Sequence, residues 1–299
     1  MNTSILFDRM KKSAVLTLFL AASSLSALRA VDTTYEANGD YSYVGGANMK
    51  YDGKGIGSLS EQSNQLHFAV STQLGEGPLL RVGAEWQRYS FSSLPQTARI
   101  PNTLQSMNLI VGLDAAFWGW LVRIEAQPGY YGNFDQINGR GFNIPFIVGG
   151  MYLVSPDLQW VLGMSVNVER SIPVLPAAGV RWKFAKDWVF NAVLPRPRLE
   201  YTLNKITTLY AGGDFKLGTY RMDSSFGSYR GNTHLNNALV DYTEIRVGGG
   251  VEVKAGSSVK IDLETGCMVY RQFDYQRANI SMSNSNGAPY GQIIVSCSF

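Results

Sequence analysis

This 299-residue sequence predicts an all-β fold, a closed antiparallel transmembrane β-barrel, and three observations carry that prediction. From about residue 40, apolar residues recur with period two in segment after segment, many of them about ten residues long or more, the length that crosses a bilayer at a tilt of roughly 45°. The connections between these segments are short and long in turn, as outer-membrane barrels require. Five of the six tryptophans stand within a few residues of the short connections, and amphipathic indoles favour the membrane–water interface. A soluble β-sandwich also alternates, but its strands usually run about 5–6 residues and its apolar faces point inward.

Composition narrows the field. With 45% hydrophobic and 16% charged residues, and only two cysteines, the chain is neither disordered nor a disulfide scaffold. The one candidate spanning helix, Ala14 to Ala22, is about half the roughly 20 residues needed. Residues 1–30 instead read as a secretory signal peptide: Arg9, Lys11 and Lys12, then the apolar run, then Ser24, Ser26, Ala27 and Ala30. Cleavage fits Ser24-x-Ser26 or, as a working boundary, Ala30, which leaves 31–299 as the barrel. The leader holds four basic residues (Arg9, Lys11, Lys12, Arg29) and one acid (Asp8); removing them from totals of 26 and 23 leaves 22 of each sign. The mature chain is therefore neutral, and its charge implies no nucleic-acid partner.

In chain order, strands are expected near 40–51 and 65–74, the second with His67 between Leu66 and Phe68. In 79–91, Leu80, Val82, Ala84 and Trp86 oppose Arg81, Gly83, Glu85 and Gln87. The clearest alternation lies in 104–117, where Met107, Leu109, Val111, Leu113, Ala115 and Phe117 oppose Asn108, Gly112 and Asp114. In 120–131, Trp120, Val122, Ile124 and Ala126 oppose Arg123, Glu125 and Gln127. After 142–154 comes 158–168, with Leu158, Trp160, Leu162, Met164, Val166 and Val168 against Gln159, Ser165 and Asn167. Strand 175–184 precedes a pair, 188–194 and 198–203, that flanks Pro195 and Pro197. Proline removes a ladder donor, so this pair decides between fourteen strands and twelve. Next is 207–221, then 241–253, with Ile245, Val247, Val251 and Val253 against Glu244, Arg246, Glu252 and Lys254. In 258–272, Val259, Ile261, Leu263 and Val269 oppose Lys260, Asp262 and Glu264, and 289–299 closes the set. An even count of fourteen is expected of a bacterial single-chain barrel.

Short connections fall at Gly75–Pro78, Phe117–Trp120, Ser155–Asp157, Ala185–Asp187, Asn204–Ile206 and Lys254–Ser257. Longer ones alternate at 52–64, 92–103, 132–141, 169–174, 222–240 and 273–288, with a tight Pro195-Arg-Pro197 as the exception. Trp118, Trp120, Trp160, Trp182 and Trp188 mark the short-turn end, while Tyr89, Phe91, Tyr130, Tyr131 and Phe142 are expected to form the opposite girdle. Cys267 and Cys297 fall on the apolar face at different heights, so both are read as lipid-facing thiols.

In hydrocarbon an unpaired backbone group costs several kcal/mol, so the sheet must close, with apolar faces toward lipid and charged faces toward the lumen. The expected pore-lining residues are Arg81, Glu85, Arg123, Glu125, Arg181, Lys183, Arg198, Glu200, Asp214, Lys216, Glu244, Arg246, Lys260, Asp262 and Glu264, joined by Glu252 and Lys254. Their signs nearly balance, so they either cross-link to fill the barrel or line a water-filled channel of weak ion preference. Fourteen strands enclose more room than eight, which favours a passive or weakly selective diffusion pore for small solutes. A structural or adhesive barrel with partner-binding outer loops is the alternative, and a barrel hydrolase the third reading. No segment is long enough for an internal plug domain. Catalysis would need a histidine placed with Ser, Asn or Asp partners; His67, expected near the outer rim of the lumen, and His234, in the 222–240 connection, have no local motif around them. No enzyme, cofactor or metal site is expected. Gly53-Lys-Gly-Ile-Gly57 lacks the strand–turn–helix order of a phosphate loop and reads as a flexible outer loop, and Gly248-Gly-Gly250 as a strand interior that bends or frees lumen space.

The ending Ile293-Ile-Val-Ser-Cys-Ser-Phe299 resembles the C-terminal strand of bacterial outer-membrane proteins, which implies the barrel-assembly machinery and outer-membrane lipid as partners. The block from Leu175 to Tyr201, with Trp188 and Leu194-Pro-Arg-Pro-Arg-Leu-Glu-Tyr201 as its specific part, continued by Leu209-Tyr-Ala-Gly-Gly213, resembles an uncharacterised family of bacterial outer-membrane β-barrel proteins. The resemblance covers most of the mature chain and implies barrel architecture and outer-membrane location, with no substrate. From the residues themselves, Arg196, Arg198 and Glu200 on a proline-bounded hairpin suggest either a packed charged element narrowing the lumen or plain shape-setting by proline.

Overall fold

The computed structural model describes residues 33–299 except 93, 95–97 and 138; the expected signal peptide lies outside the described residues. Fourteen strands cross in an antiparallel meander: β1 (Thr33–Tyr51), β2 (Lys54–Gln73), β3 (Leu79–Phe91), β4 (Thr103–Phe117), β5 (Trp120–Ala126 and Gly129–Gly132), β6 (Phe142–Asn143 and Phe146–Ser155), β7 (Leu158–Val166), β8 (Val174–Ala185), β9 (Trp188–Asn191), β10 (Arg198–Thr202), β11 (Thr207–Arg221), β12 (Leu239–Lys254), β13 (Val259–Tyr275) and β14 (Ile280–Asn284 and Ala288–Ser298). Two interruptions fall at Pro128 and Pro145, which lack an amide donor but still accept from Leu109 and Gln127 through their carbonyls. β1 closes the barrel by pairing with β2 on one side and β14 on the other, from Glu36↔Ser298 to Val44↔Tyr290. Tyr35 and Phe299 exchange backbone bonds of 3.0 Å at the seam.

Alternation sends one face of each strand outward. On β4 the exposed large apolar residues are Met107, Leu109, Val111, Leu113 and Phe117, and at the usual tilt that stretch spans the roughly 25 Å apolar band of an outer-membrane barrel. At the short-turn end an aromatic belt follows: Phe117 stacks on Trp118, Trp120 meets Tyr152, and Trp182, Phe184, Trp188 and Tyr201 touch in series. Cys267 and Cys297 are free thiols on the outer face, opposite Pro289 and Val259 respectively, at separate heights.

Four expectations are corrected. The connection at 52–64 is a two-residue hairpin, Asp52-Gly53, with φ of 51° and 75°; positive φ at both central residues matches the right-handed twist of the flanking strands, so the glycine-rich stretch pairs instead of looping. The 273–288 connection likewise shrinks to 276–279, followed by Ile280–Asn284. Strands β1, β2, β13 and β14 therefore rise beyond the apolar band, and His67, expected near the outer rim, lies in the half of β2 closer to the short turns. The second girdle is only part of what was expected. Tyr130 and Phe142 face outward, whereas Tyr89 and Phe91 are buried inside and Tyr131 shares their inward face. The proline-flanked pair does belong to the wall, through β8–β9, β9–β10 and β10–β11 pairing.

Candidate functional site: the barrel interior

The interior is built in three tiers. At the short-turn end the charges meet solvent: Arg123 grips Asp114 with bonds of 2.7 and 2.6 Å while its side chain remains 44% exposed, and Arg181 lies 3.8 Å from Glu200. Lys183, Lys254 and Lys260 are exposed at this end, and Glu252 is half-buried beside them.

The middle tier is cross-braced. Arg81, nearly buried, donates to Glu36 at 2.8 Å and lies 3.5 Å from Glu125, while His67 touches Glu85 at 3.3 Å and Arg81 at 3.2 Å. Arg196, carried inward by the Leu194–Pro197 crest, reaches Asp40 on β1 at 2.9 Å and Asp214 on β11 at 3.5 Å. Gln292 donates to the same Asp40 oxygen at 2.6 Å. The crest thus throws an arginine across the lumen to carboxylates on β1 and β11. Arg198 lies 3.6 Å from Asp262 and 4.6 Å above the Tyr210 ring, and Tyr290 donates to Glu264 at 2.6 Å. Glycine makes these tyrosines fit: a Cβ at Gly248 would lie 2.4 Å from the Tyr290 hydroxyl, and one at Gly250 2.6 Å from that of Tyr210.

The third tier is a fully buried charge box. Arg246 donates to Glu244 at 2.6 Å, to Glu61 at 3.1 Å and to Ser42 at 2.8 Å. Arg271 donates to Glu244 at 2.8 and 2.5 Å and lies 2.8 Å from Glu61. Tyr242 donates to both carboxylates, and Lys216 reaches Ser63 at 3.3 Å. Two arginines against two glutamates leave the box neutral, the condition under which buried ions are tolerable.

Above the box the lumen is closed by apolar packing. Met49, Leu59, Tyr89, Phe91, Leu104, Tyr220, Tyr242, Phe273, Tyr275, Ile280 and Met282 point in from the wall, and the 222–238 connection folds down to add Met222, Phe226, Leu235 and Ala238. The 222–238 connection, joined by Leu94 and Ile100 of the β3–β4 connection, and a ring of inward aromatics do the sealing. Asp223 anchors it by accepting from Asn133 at 2.8 Å and from Ser225. Burial opposes ionisation of Asp223, but these hydrogen bonds hold its carboxyl below the ordinary range, while burial and the nearby Asp223 charge push Asp135 up.

Sequence reasoning did not find Glu36, Asp40, Glu61 or Arg271. Glu61 lay in a stretch read as loop. Arg271 falls on the apolar parity of its strand; a β-bulge between Ile245 and Arg246 shifts the register against β13, so the phase inverts and Arg271, Phe273 and Tyr275 turn inward.

The sequence profile described as "Domain of unknown function (DUF6268)" matches residues 102–290. No curated protein sequence matches the chain. Among solved structures, similarity is found to an outer-membrane channel from Pseudomonas putida F1 (12% identity, 91% of this chain and 97% of that one, TM-score 0.45). The Pseudomonas putida toluene transporter TodX is similar at 11% identity over 90% of both chains, TM-score 0.42. The translocator domain of the autotransporter NalP from Neisseria meningitidis is similar at 11% identity over 98% of both, TM-score 0.33.

Proposed function

We propose that this chain, which belongs to the DUF6268 family of unknown function, is an outer-membrane channel for small solutes, occluded at its outer mouth by the 222–238 connection. The observation that carries the reading is the contrast between the two ends. Charged side chains at the short-turn end remain open to solvent inside a closed wall, whereas the opposite end is sealed by a connection held through side-chain contacts and not by a separate domain. A barrel whose charges served only to fill it would bury them throughout. The pore-lining set follows as part of the proposal: Arg123, Arg181, Lys183, Glu200 and Lys260 line the vestibule, and Arg81, Glu85, Glu125, Arg198, Asp214, Asp262 and Glu264 the constriction. Glu244 and Arg246 belong to the charge box beneath the seal, and Lys216 stands beside it. Planar-bilayer recording of the refolded chain tests this, after heat-modifiable gel migration has confirmed the barrel. Discrete current steps that lengthen when residues 224–236 are deleted are expected; a folded, silent deletion variant would leave the structural or adhesive reading in its place.

A further inference from the structure

β9 and β10 are 4 and 5 residues long, between neighbours of 12 and 15. Their crest at Leu194–Pro197 stops part-way up the wall, held by Ala192 N to Val180 O on one side and by Gly213 N to Pro197 O and Phe215 N to Pro195 O on the other. Beyond it β8 and β11 carry on, and among the described residues no pairing joins them. By the two-residue repeat, the backbone groups of Val174, Pro176 and Ala178 on β8 and of Leu217 on β11 face this gap; higher on β11, Thr219 is buried and bonded to Asp241, and Arg221 pairs with Gly132 of β5. Pro176 removes one unpaired donor from the edge, the place where a sheet accepts proline. The 167–173 connection bridges the top: Glu169 pairs with Arg221, and Ser171 N donates to Asp241 at 3.0 Å. The outward residues around the gap, Val174, Leu194 and Leu217, are exposed and apolar, so it opens within the outer half of the lipid-facing band.

The lumenal face beside the gap is equally unusual. Ile147, Gly149, Met151 and Leu153 on β6 are in register with Ser165, Gly163, Val161 and Gln159 on β7, and these with Leu175, Ala177, Gly179 and Arg181 on β8. Since Ile147 pairs with Glu125 and Gly149 with Arg123, both on the inward face, the middle of this sector turns small and apolar side chains toward the lumen, with Gln159 and Arg181 at its short-turn end and Ser165 at the other. Between those polar positions the wall is apolar on both faces. Open sheet edges are not tolerated against hydrocarbon unless they line a cavity or meet hydrogen-bonding groups.

We infer that the β8–β11 gap is a lateral window through which small lipophilic molecules carrying a polar group pass between the outer leaflet and the barrel interior. The inference rests on the channel reading and names its solute class. Apolar parts slide along the β6–β8 face, while the polar group meets the free backbone groups of the edges; the sealed outer mouth leaves this side route as the exit toward the outer leaflet.

The test uses the full barrel with Cys267→Ser and Cys297→Ser, labelled with bimane at Ala177→Cys (inward, by the gap), Ala178→Cys (outward) or Lys260→Cys (inward, short-turn end), in vesicles of brominated phosphatidylcholine. Quenching at 177 close to that at 178 and well above that at 260 is expected. Quenching at 177 no greater than at 260 overturns the window. In cells, Ala177→Trp should abolish the uptake of N-phenyl-1-naphthylamine that the protein confers, with ion conductance retained; uptake unchanged by a folded Ala177→Trp barrel likewise overturns it. Loss of conductance in every variant would remove the channel reading alone, since the quenching result stands without it.

Discussion

Phe226→Ala tests the seal most directly. The ring is 1% exposed, stacks at 6.1 Å on Tyr275 and carries the Arg230 guanidinium 4.0 Å from its centroid. Truncating a buried phenylalanine costs about 3–5 kcal/mol, and the lost cation–π contact adds about 0.5–1 kcal/mol. No wall strand contains residue 226, so this cost falls on docking of the 222–238 connection and not on the barrel. At about 1.4 kcal/mol per factor of ten, the undocked fraction should rise roughly 3 × 10²- to 2 × 10⁴-fold. Single-channel recording should then show occluded dwell times shortened in proportion, and hydrogen exchange of amides from Met222 to Ala238 should accelerate by a similar factor while amides of β4 stay protected. Faster exchange with unchanged dwell times would refute the reasoning, because the connection would then open without letting current through.

Other outcomes follow from the remaining tiers. Arg246→Met leaves Glu61 and Glu244 sharing Arg271, and removing one member of a buried pair costs about 3–5 kcal/mol; the urea midpoint should fall, and adding Glu61→Gln should restore part of the loss. Arg196→Ala frees Asp40 and Asp214 in the constriction, so the reversal potential in a KCl gradient should move toward cation selectivity with larger conductance. For the seal, Asp223 is held below the ordinary value of 3.8 and Asp135 is raised above it. On acidification Asp135 takes its proton first, which relieves repulsion and leaves docking intact or firmer. The stabilisation from Asp223 is present above its unfolded value and is lost as pH falls through its lowered folded value, so exchange protection of the connection should collapse only below about pH 3.8.

Much of the fold is legible because lipid imposes a strict rule. Every backbone group must pair, so period two, paired turn lengths and interfacial indoles all report the same closed wall. The rule governs only the lipid band. Outside it, β1–β2 and β13–β14 carry polar residues on both faces, so Glu61 and Asn284 gave no alternation to read, and the Asp52-Gly53 turn was the sole local sign of a hairpin. Tyr89 and Phe91 were misplaced for a related reason: an aromatic near a strand end suits an interface, but parity sets it inward, and only the inward partners Tyr242 and Phe273 reveal a core there.

The interior is harder to read than the wall because its contacts join strands far apart in sequence. Arg196 and Asp40 are separated by 156 positions, and Arg271 and Leu59 by 212. The Leu-Pro-Arg-Pro-Arg block nevertheless carries a physical message. Two prolines at a crest end the ladder early on both flanks, and a crest that stops short takes away the partner of each neighbouring strand above it. The stretch Phe146 to Val154 contains no charge and no strict alternation, which in a lipid-facing strand means that the lumenal side is apolar too. An early-ending hairpin and a strand apolar on much of both faces, with two strands between them in the wall, are together the sequence trace of an opening toward lipid.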